Sequence, residues 1–196
     1  MKHFVLLIAL SISACAVVHR TYYAPVDAKF LREGTTCGWV PYAFALIPLD
    51  TNVSASFNMA PTAANEISLS VNITLSKGQT VKFEDSALTL EMSDKTIASK
   101  LERFKVSVYG RNGRPGYFEY VEPTEVLEGH RNSDLVVSDD PYASNDLFTS
   151  RVRFEARPEE RVKLHLPPVK VNGRQLTLNT VEFSLVSKTG VEACVQ

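Results

Sequence analysis

A stretch of alternating apolar and small polar residues near the middle of the chain constrains the fold most strongly. Every second residue is aliphatic over nine consecutive positions, at Ile67, Leu69, Val71, Ile73 and Leu75. The positions between them carry Ser68, Ser70, Asn72 and Thr74. Side chains of a strand point alternately to its two faces, so the pattern predicts a strand with one face in a hydrophobic core and the other in water.

The same period of two recurs along most of the chain, between turn signals. Asn112-Gly113 and Asn172-Gly173 are turn signals of the kind that joins paired antiparallel strands. Only the short segment 94–103 favours a helical turn. About ten short strands with turns at this spacing predict an all-β fold, an antiparallel β-sandwich of immunoglobulin-like architecture. A lipocalin-like barrel is the alternative.

The first fifteen residues have the three-part layout of an export signal. Met1–His3 is a cationic start, Phe4–Ile12 is an apolar run, and Ser13–Cys15 closes the run with small side chains. The apolar run is too short to cross a bilayer, which needs about 20 residues. The layout therefore predicts that the chain leaves the cytosol.

The end of this signal, Ile12-Ser13-Ala14-Cys15, resembles the lipobox of bacterial lipoproteins, in which a small residue directly precedes a cysteine. The resemblance covers only these first fifteen residues. It implies a signal peptide at 1–14, a diacylglyceryl group on Cys15, and a further acyl chain such as palmitate on the new amine. Several acyl chains would form a lasting membrane anchor. Ala16, in place of aspartate, implies the outer membrane, facing the periplasm or the exterior. The alternative is cleavage after Ala16 and secretion.

Cysteine usage agrees with export. If Cys15 carries lipid, Cys37 and Cys194 remain, and two cysteines in an oxidising compartment most simply form a disulfide. An intermolecular bridge or two free thiols are the alternatives. The expected organisation is a signal peptide at 1–14, a lipidated cysteine with a tether at 15–36, and a single β-sandwich domain at 37–196.

Charge and motifs argue against several functions. The formal net charge of −1 argues against nucleic acid as a partner. The chain has no G-x-S-x-G or S-x-x-K sequence for nucleophilic catalysis and no H-x-H or H-E-x-x-H sequence for a metal ion. We therefore predict a protein that is not an enzyme and that needs no metal or other cofactor.

One concentrated group of cations stands out in the last third of the chain. The alternation predicts that four cationic side chains face solvent: Arg151 and Arg153 on one predicted strand, and Arg161 and Lys163 on the next. If the two strands pair, the four cations share one sheet face, with Glu155 as the only nearby acid. Like charges opposed across strands cost stability, so such a basic face indicates an anionic partner. The alternative is charge that protects a sheet edge and keeps the protein soluble.

Together these features predict a lipid-anchored cell-envelope lipoprotein that acts as a binding or interaction module. Its expected partners are the membrane, through the N-terminal lipid, and either another envelope protein or an anionic polymer. A carrier or sensor of a small ligand, with a cavity inside a sandwich or barrel, is the first alternative. An envelope hydrolase is the less favoured one.

Overall fold

The computed structural model describes residues 16–36, 40–109, 115–130 and 145–192. Sixteen strands and no helix occur in these ranges. The first eight strands are β1 (Ala16–Pro25), β2 (Leu31–Thr36), β3 (Val40–Asp50), β4 (Val53–Ala63), β5 (Glu66–Leu75), β6 (Thr80–Phe83), β7 (Ala87–Glu91) and β8 (Thr96–Lys100). The other eight are β9 (Phe104–Tyr109), β10 (Pro115–Val121), β11 (Leu127–Glu128), β12 (Asp146–Phe154), β13 (Arg161–His165), β14 (Val169–Val171), β15 (Arg174–Leu176) and β16 (Val181–Glu192).

Two antiparallel sheets contain all of these strands. Ten strands of the larger sheet follow the order β10-β9-β12-β5-β4-β1-β16-β13-β7-β8. The remaining two strands of this sheet branch from β4: β3 pairs with β4, and β2 pairs with β3. The smaller sheet has the order β11-β6-β14-β15.

The larger sheet folds over on itself, so that β8 and the residues after it approach β12. The Ser99 hydroxyl donates a hydrogen bond to the carbonyl oxygen of Arg153 (2.7 Å), and the Glu102 N–H donates one to the carbonyl oxygen of Arg151 (3.0 Å). The smaller sheet packs against the larger one, where the rings of Phe83 and Phe104 stack with centroids 5.7 Å apart. The predicted class, an antiparallel β-sandwich, is confirmed.

The core has the composition that the period-two pattern predicts. The five aliphatic residues of β5 are all fully buried, while the polar residues between them are half-buried. The inward residues of β4 repeat this alternation, and Phe57 and Met59 are fully buried. Burial of each such apolar side chain contributes about 1.5–3 kcal/mol. The prediction of a strand with one core face is therefore confirmed for β5.

The predicted tether at 15–36 is wrong for the residues that the structure describes. Ala16–Pro25 forms β1 and pairs antiparallel with β16 over ten residues. The Tyr23 side chain is fully buried, and its hydroxyl donates to the Glu159 carbonyl oxygen (3.0 Å) and accepts from the Glu159 N–H (3.1 Å). Leu31–Thr36 forms β2. Both strands belong to the folded domain, because β1 has a long partner strand in β16 and β2 pairs antiparallel with β3.

Two local predictions have different outcomes. Asn172 and Gly173 both have positive φ, at 50° and 79°, and form the two-residue turn between β14 and β15, so the turn prediction is confirmed. The helical turn expected within 94–103 is wrong, because Thr96–Lys100 is β8 and pairs antiparallel with β7. The Asn112-Gly113 signal lies outside the described residues, as do the signal peptide and all three cysteines, Cys15, Cys37 and Cys194.

Candidate partner-binding face

The outward side of β4, β5 and β12 carries mainly small polar side chains and two arginines, with Leu147 as an exposed apolar residue at its edge. We name this surface the polar sheet face, and it consists of Ser54, Ser56, Asn58, Ser68, Ser70, Asn72, Thr74, Thr149, Arg151 and Arg153. These residues alternate with the inward residues of the same strands, which are buried in the core. Because the strands are in register, the polar side chains form rows across the sheet.

One row of this face is joined by side-chain hydrogen bonds across three strands. Asn72 lies opposite Ser56 on β4 and opposite Thr149 on β12. The Thr149 hydroxyl donates to Asn72 Oδ1 (2.9 Å), and Asn72 Nδ2 donates to Ser56 Oγ (3.4 Å). The two bonds hold the amide between the side chains of the neighbouring strands. The row therefore presents hydroxyl and amide groups at positions set by the backbone.

The next two rows end in the arginines. Ser70 lies opposite Arg151, and Ser68 lies opposite Arg153. Both arginine side chains are exposed, and neither makes a hydrogen bond or ion pair with any residue of the described ranges. They are two residues apart on one strand face, which places them about 7 Å apart. The structure therefore leaves two adjacent guanidinium groups available to an anion.

An aromatic pair borders the other side of the polar sheet face, on β3. Leu46 lies opposite Ser56, and Phe44 and Tyr42 follow on the same face of β3. The rings of Tyr42 and Phe44 stack with centroids 6.0 Å apart and an angle of 17° between the ring planes. Gly34 of β2 leaves room for the tyrosine ring, because a Cβ atom there would lie 2.6 Å from Tyr42 Cζ. The face thus runs from an aromatic border to a cationic one.

The other half of the predicted basic face lies elsewhere. Arg161 and Lys163 belong to β13, which pairs with β16 and β7 and not with β12, so the prediction that all four cations share one face is wrong. Each has an acidic partner. Arg161 Nη1 lies 3.2 Å from a carboxylate oxygen of Glu182, and Lys163 Nζ lies 3.0 Å from one of Glu91. These exposed cations are neutralised by the strands on either side.

Glu91 joins a small polar cluster that the sequence did not reveal. Its second carboxylate oxygen lies 2.7 Å from His165 Nε2, and the Thr180 hydroxyl lies 3.1 Å from His165 Nδ1. The hydrogen bond from Lys163 is the main cause that lowers the pKa of the Glu91 carboxyl, and the same bond raises the pKa of the Lys163 ammonium. A hydroxyl, an imidazole and a carboxylate in series resemble an activated nucleophile. The cluster lies on an open sheet face, and none of its residues lines the concave site at Leu49 or the one at Tyr42.

Two small concave sites lie among the described residues. The first has a volume of about 240 Å³ and is lined by Phe30, Ile47, Pro48, Leu49, Leu176, Thr177, Leu178 and Asn179. The second has about 320 Å³ and is lined by Glu33, Gly34, Thr35, Pro41, Tyr42 and Lys188. Pockets for small molecules usually measure about 300–1,000 Å³, so these volumes lie at or below the lower limit.

The described ranges hold neither a grouped set of metal ligands nor a membrane-spanning helix. No three histidine, cysteine, aspartate or glutamate side chains there are grouped closely enough to hold a metal ion. The described ranges also contain no helix with the length and apolar character needed to span a membrane.

Comparisons with known proteins give no family for this chain. No protein-family model matches it, and no curated protein matches it. Among solved structures it is similar to the GAE domain of GGA2p from Saccharomyces cerevisiae, with 12% sequence identity and a TM-score of 0.31. The similarity covers 74% of this chain and 96% of that domain. A likeness this weak carries no argument about the fold or the function of the chain.

Proposed function

We propose that this protein is a non-enzymatic interaction module of the cell envelope that binds an anionic, hydroxyl-rich polymer across the polar sheet face. The observation that carries the proposal is the pair of exposed arginines, Arg151 and Arg153, which have no acidic partner among the described residues. They stand beside rows of hydroxyl and amide groups. Charge complementarity therefore favours an anionic partner.

The chemistry of the face suits a polymer with both charged and hydroxyl groups. A guanidinium group binds a carboxylate or phosphate through two parallel hydrogen bonds. The Asn72 row offers donors and acceptors to sugar hydroxyls, and the stacked rings of Tyr42 and Phe44 offer aromatic apolar surface. From β3 to β12 the face spans three strand spacings, about 14 Å. An extended chain can cross this flat surface, whereas a compact small molecule would find no enclosing walls.

Binding to a carboxylated polysaccharide tests the proposal. Polygalacturonate is the probe, and neutral dextran is the uncharged comparison. We expect the mature domain to bind polygalacturonate and not dextran. The binding should weaken as added salt screens the charges. Loss of both guanidinium groups, in Arg151→Ser with Arg153→Ser, should weaken binding at least about tenfold, because hydrogen bonds to charged groups contribute about 1.5–3 kcal/mol each.

The other two cations provide the matched control. Arg161→Ser with Lys163→Ser removes the same number of positive charges from β13, away from the polar sheet face, where both are already paired with acids. This variant should bind the polymer as the unmodified protein does. Equal losses in the two double variants would mean that only net charge matters, and the polar sheet face would then have no special role. Retention of an acidic protein in place of the polymer would also overturn the proposal.

We further propose that the protein is held at the outer membrane by lipid on Cys15. The support is the export-signal layout and the small residue before this cysteine. Cells that express the full-length protein are labelled with palmitate. We expect label in the unmodified protein and none in Cys15→Ala. Label that persists in the variant, or a full-length uncleaved product in the soluble cell interior, would contradict acylation at this residue.

A disulfide between Cys37 and Cys194 is proposed as well. β2 and β16 run in the same direction, and Lys188 Nζ lies 3.2 Å from a carboxylate oxygen of Glu33. Beyond this ion pair, Cys37 follows four residues after Glu33, and Cys194 follows six residues after Lys188. These short sequence separations from one ion pair support the proposed disulfide. A thiol assay on the denatured, non-reduced, acylated protein should find no reactive cysteine, and reactive thiols would refute the bond.

A further inference from the structure

The starting point of β1 determines how close the domain lies to a lipid attached at Cys15. β1 begins at Ala16, the very next residue, and its first residue already pairs with Glu192 of β16. The pairing continues without a shift to Pro25, opposite Phe183. We name these two paired strands the β1–β16 ribbon. The ribbon leaves no free segment between its first residue and Cys15.

We propose that the end of the β1–β16 ribbon at Ala16 rests directly on the lipid surface in the acylated protein. This inference depends on the lipid anchor proposed above and is independent of the polar sheet face. Consecutive Cα atoms are about 3.8 Å apart, so an acylated Cys15 holds Ala16 within the headgroup region. A tether over 16–36 would instead have let the domain stand tens of ångströms away.

The side chains along the exposed side of the ribbon suit this arrangement. Val17 comes first, and its relative exposure of 66% is the highest of any large apolar residue in the described ranges. The next pair on this side is polar, with the Thr189 hydroxyl 2.9 Å from His19 Nδ1. The pair after it joins the hydroxyls of Thr21 and Ser187 at 2.9 Å. An apolar residue at the end and polar pairs above it match the change from lipid to water.

Quenching of tryptophan fluorescence by brominated lipids tests the proposal. The full-length acylated protein is reconstituted into phosphatidylcholine vesicles with or without bromine on the acyl chains. Val17→Trp places a reporter at the end of the ribbon, on a side chain that is already exposed. The emission of the native Trp39, measured in the unmodified protein, is subtracted. We expect the added emission from Val17→Trp to be largely lost in brominated vesicles.

Thr51→Trp is the matched control at the far end of the sandwich. Thr51 lies in the turn before β4, and β4 runs antiparallel to β1 with Met59 opposite Tyr23. The turn therefore lies beyond the end of β1 that is farther from Cys15. The emission of this variant should be unchanged by bromine. Quenching of both variants to the same extent would mean that the domain lies flat, which would overturn the proposal.

A flexible insertion separates this proposal from the anchor itself. Mass spectrometry first establishes that Cys15 is acylated, and a protein without lipid would refute the anchor. About 20 glycine and serine residues between Cys15 and Ala16 should then abolish the quenching of Val17→Trp, because such a coil spans about 25 Å. If the acylated protein without the insertion shows no quenching of Val17→Trp, the anchor stands and the contact with lipid is refuted.

Discussion

Replacement of Tyr23 by phenylalanine tests whether the segment after Cys15 is part of the fold. The Tyr23 hydroxyl donates to the carbonyl oxygen of Glu159 and accepts from its N–H, at 3.0 and 3.1 Å. Tyr23→Phe removes both bonds and leaves the two backbone groups without this partner. Each unsatisfied group costs about 1–3 kcal/mol when it is fully buried. Because Glu159 lies partly toward solvent, we expect a total loss of about 1–3 kcal/mol in the free energy of unfolding.

Urea unfolding of the mature domain measures this loss. The midpoint should fall while the slope with urea stays unchanged, because the surface exposed on unfolding is the same. Tyr23→Ala should cost more, about 3–5 kcal/mol, because it also empties the space of a buried ring. Tyr120→Phe is the control, since Tyr120 is 57% exposed. If both Tyr23 variants stay within about 0.5 kcal/mol of the unmodified protein, β1 does not stabilise the fold.

The dependence on pH gives a second signature of the same hydroxyl. Burial raises the pKa of the Tyr23 hydroxyl above its ordinary value of 10.0. A raised pKa in the folded state means that the contribution to stability is complete below pH 10 and is lost as the pH rises through the folded-state pKa. We expect the unmodified protein to lose this contribution in alkaline solution, while Tyr23→Phe does not.

Three further changes test the core, a turn and a surface cluster, each by urea unfolding. Leu69→Ala should cost about 2–5 kcal/mol because the side chain is fully buried, whereas Ser70→Ala should change stability by less than about 0.5 kcal/mol. Gly129→Ala should cost about 1–3 kcal/mol because a Cβ atom there would clash with the Ser76 carbonyl oxygen. The Glu91→Gln variant should be less stable than the unmodified protein at neutral pH and equally stable in acid. The pKa of Glu91 is lowered in the folded protein, so its contribution to stability is lost as the pH falls below 4.5, the ordinary pKa of a glutamate.

The strands were predictable because their signal is local. An alternation such as that of β5 follows directly from the geometry of a single strand, and it assigns every side chain to the core or to the outside. The Asn172-Gly173 turn was predictable for the same reason, since positive φ at two consecutive residues restricts which residues fit. Neither property depends on which other strand lies alongside.

Pairing between distant strands was not predictable, and both main errors come from it. The residues of β1 include tyrosine, proline and a charged residue, which are also common in linkers, and only the partner strand β16 shows that they are ordered. The side chains of Arg161 and Lys163 do face outward, as the alternation predicts, but the acids that pair with them belong to β16 and β7. Sequence parity gives the direction of a side chain and leaves its neighbours across the sheet unknown.

The arrangement of the polar sheet face depends on the same long-range pairing. Ser56, Asn72 and Thr149 come from three parts of the chain, and the row exists only because β4, β5 and β12 are adjacent and in register. In sequence each residue is an ordinary polar position of a half-exposed strand. No sequence motif therefore marks a row of this kind, and only a structure reveals it.

A lipid held directly at the start of β1 also limits where the polar sheet face meets its partner. The ten residues of β1 extend over about 34 Å, and β4 runs antiparallel to β1. If the ribbon stands on the membrane, the strands of the face rise away from it, and the rows face sideways within about 40 Å of the lipid surface. A polymer that lies close to the membrane is within reach, and one held farther away is not. The flexible insertion after Cys15 should therefore leave binding to polygalacturonate in solution unchanged, because the face is intact, while it changes which envelope polymer the anchored protein retains in cells.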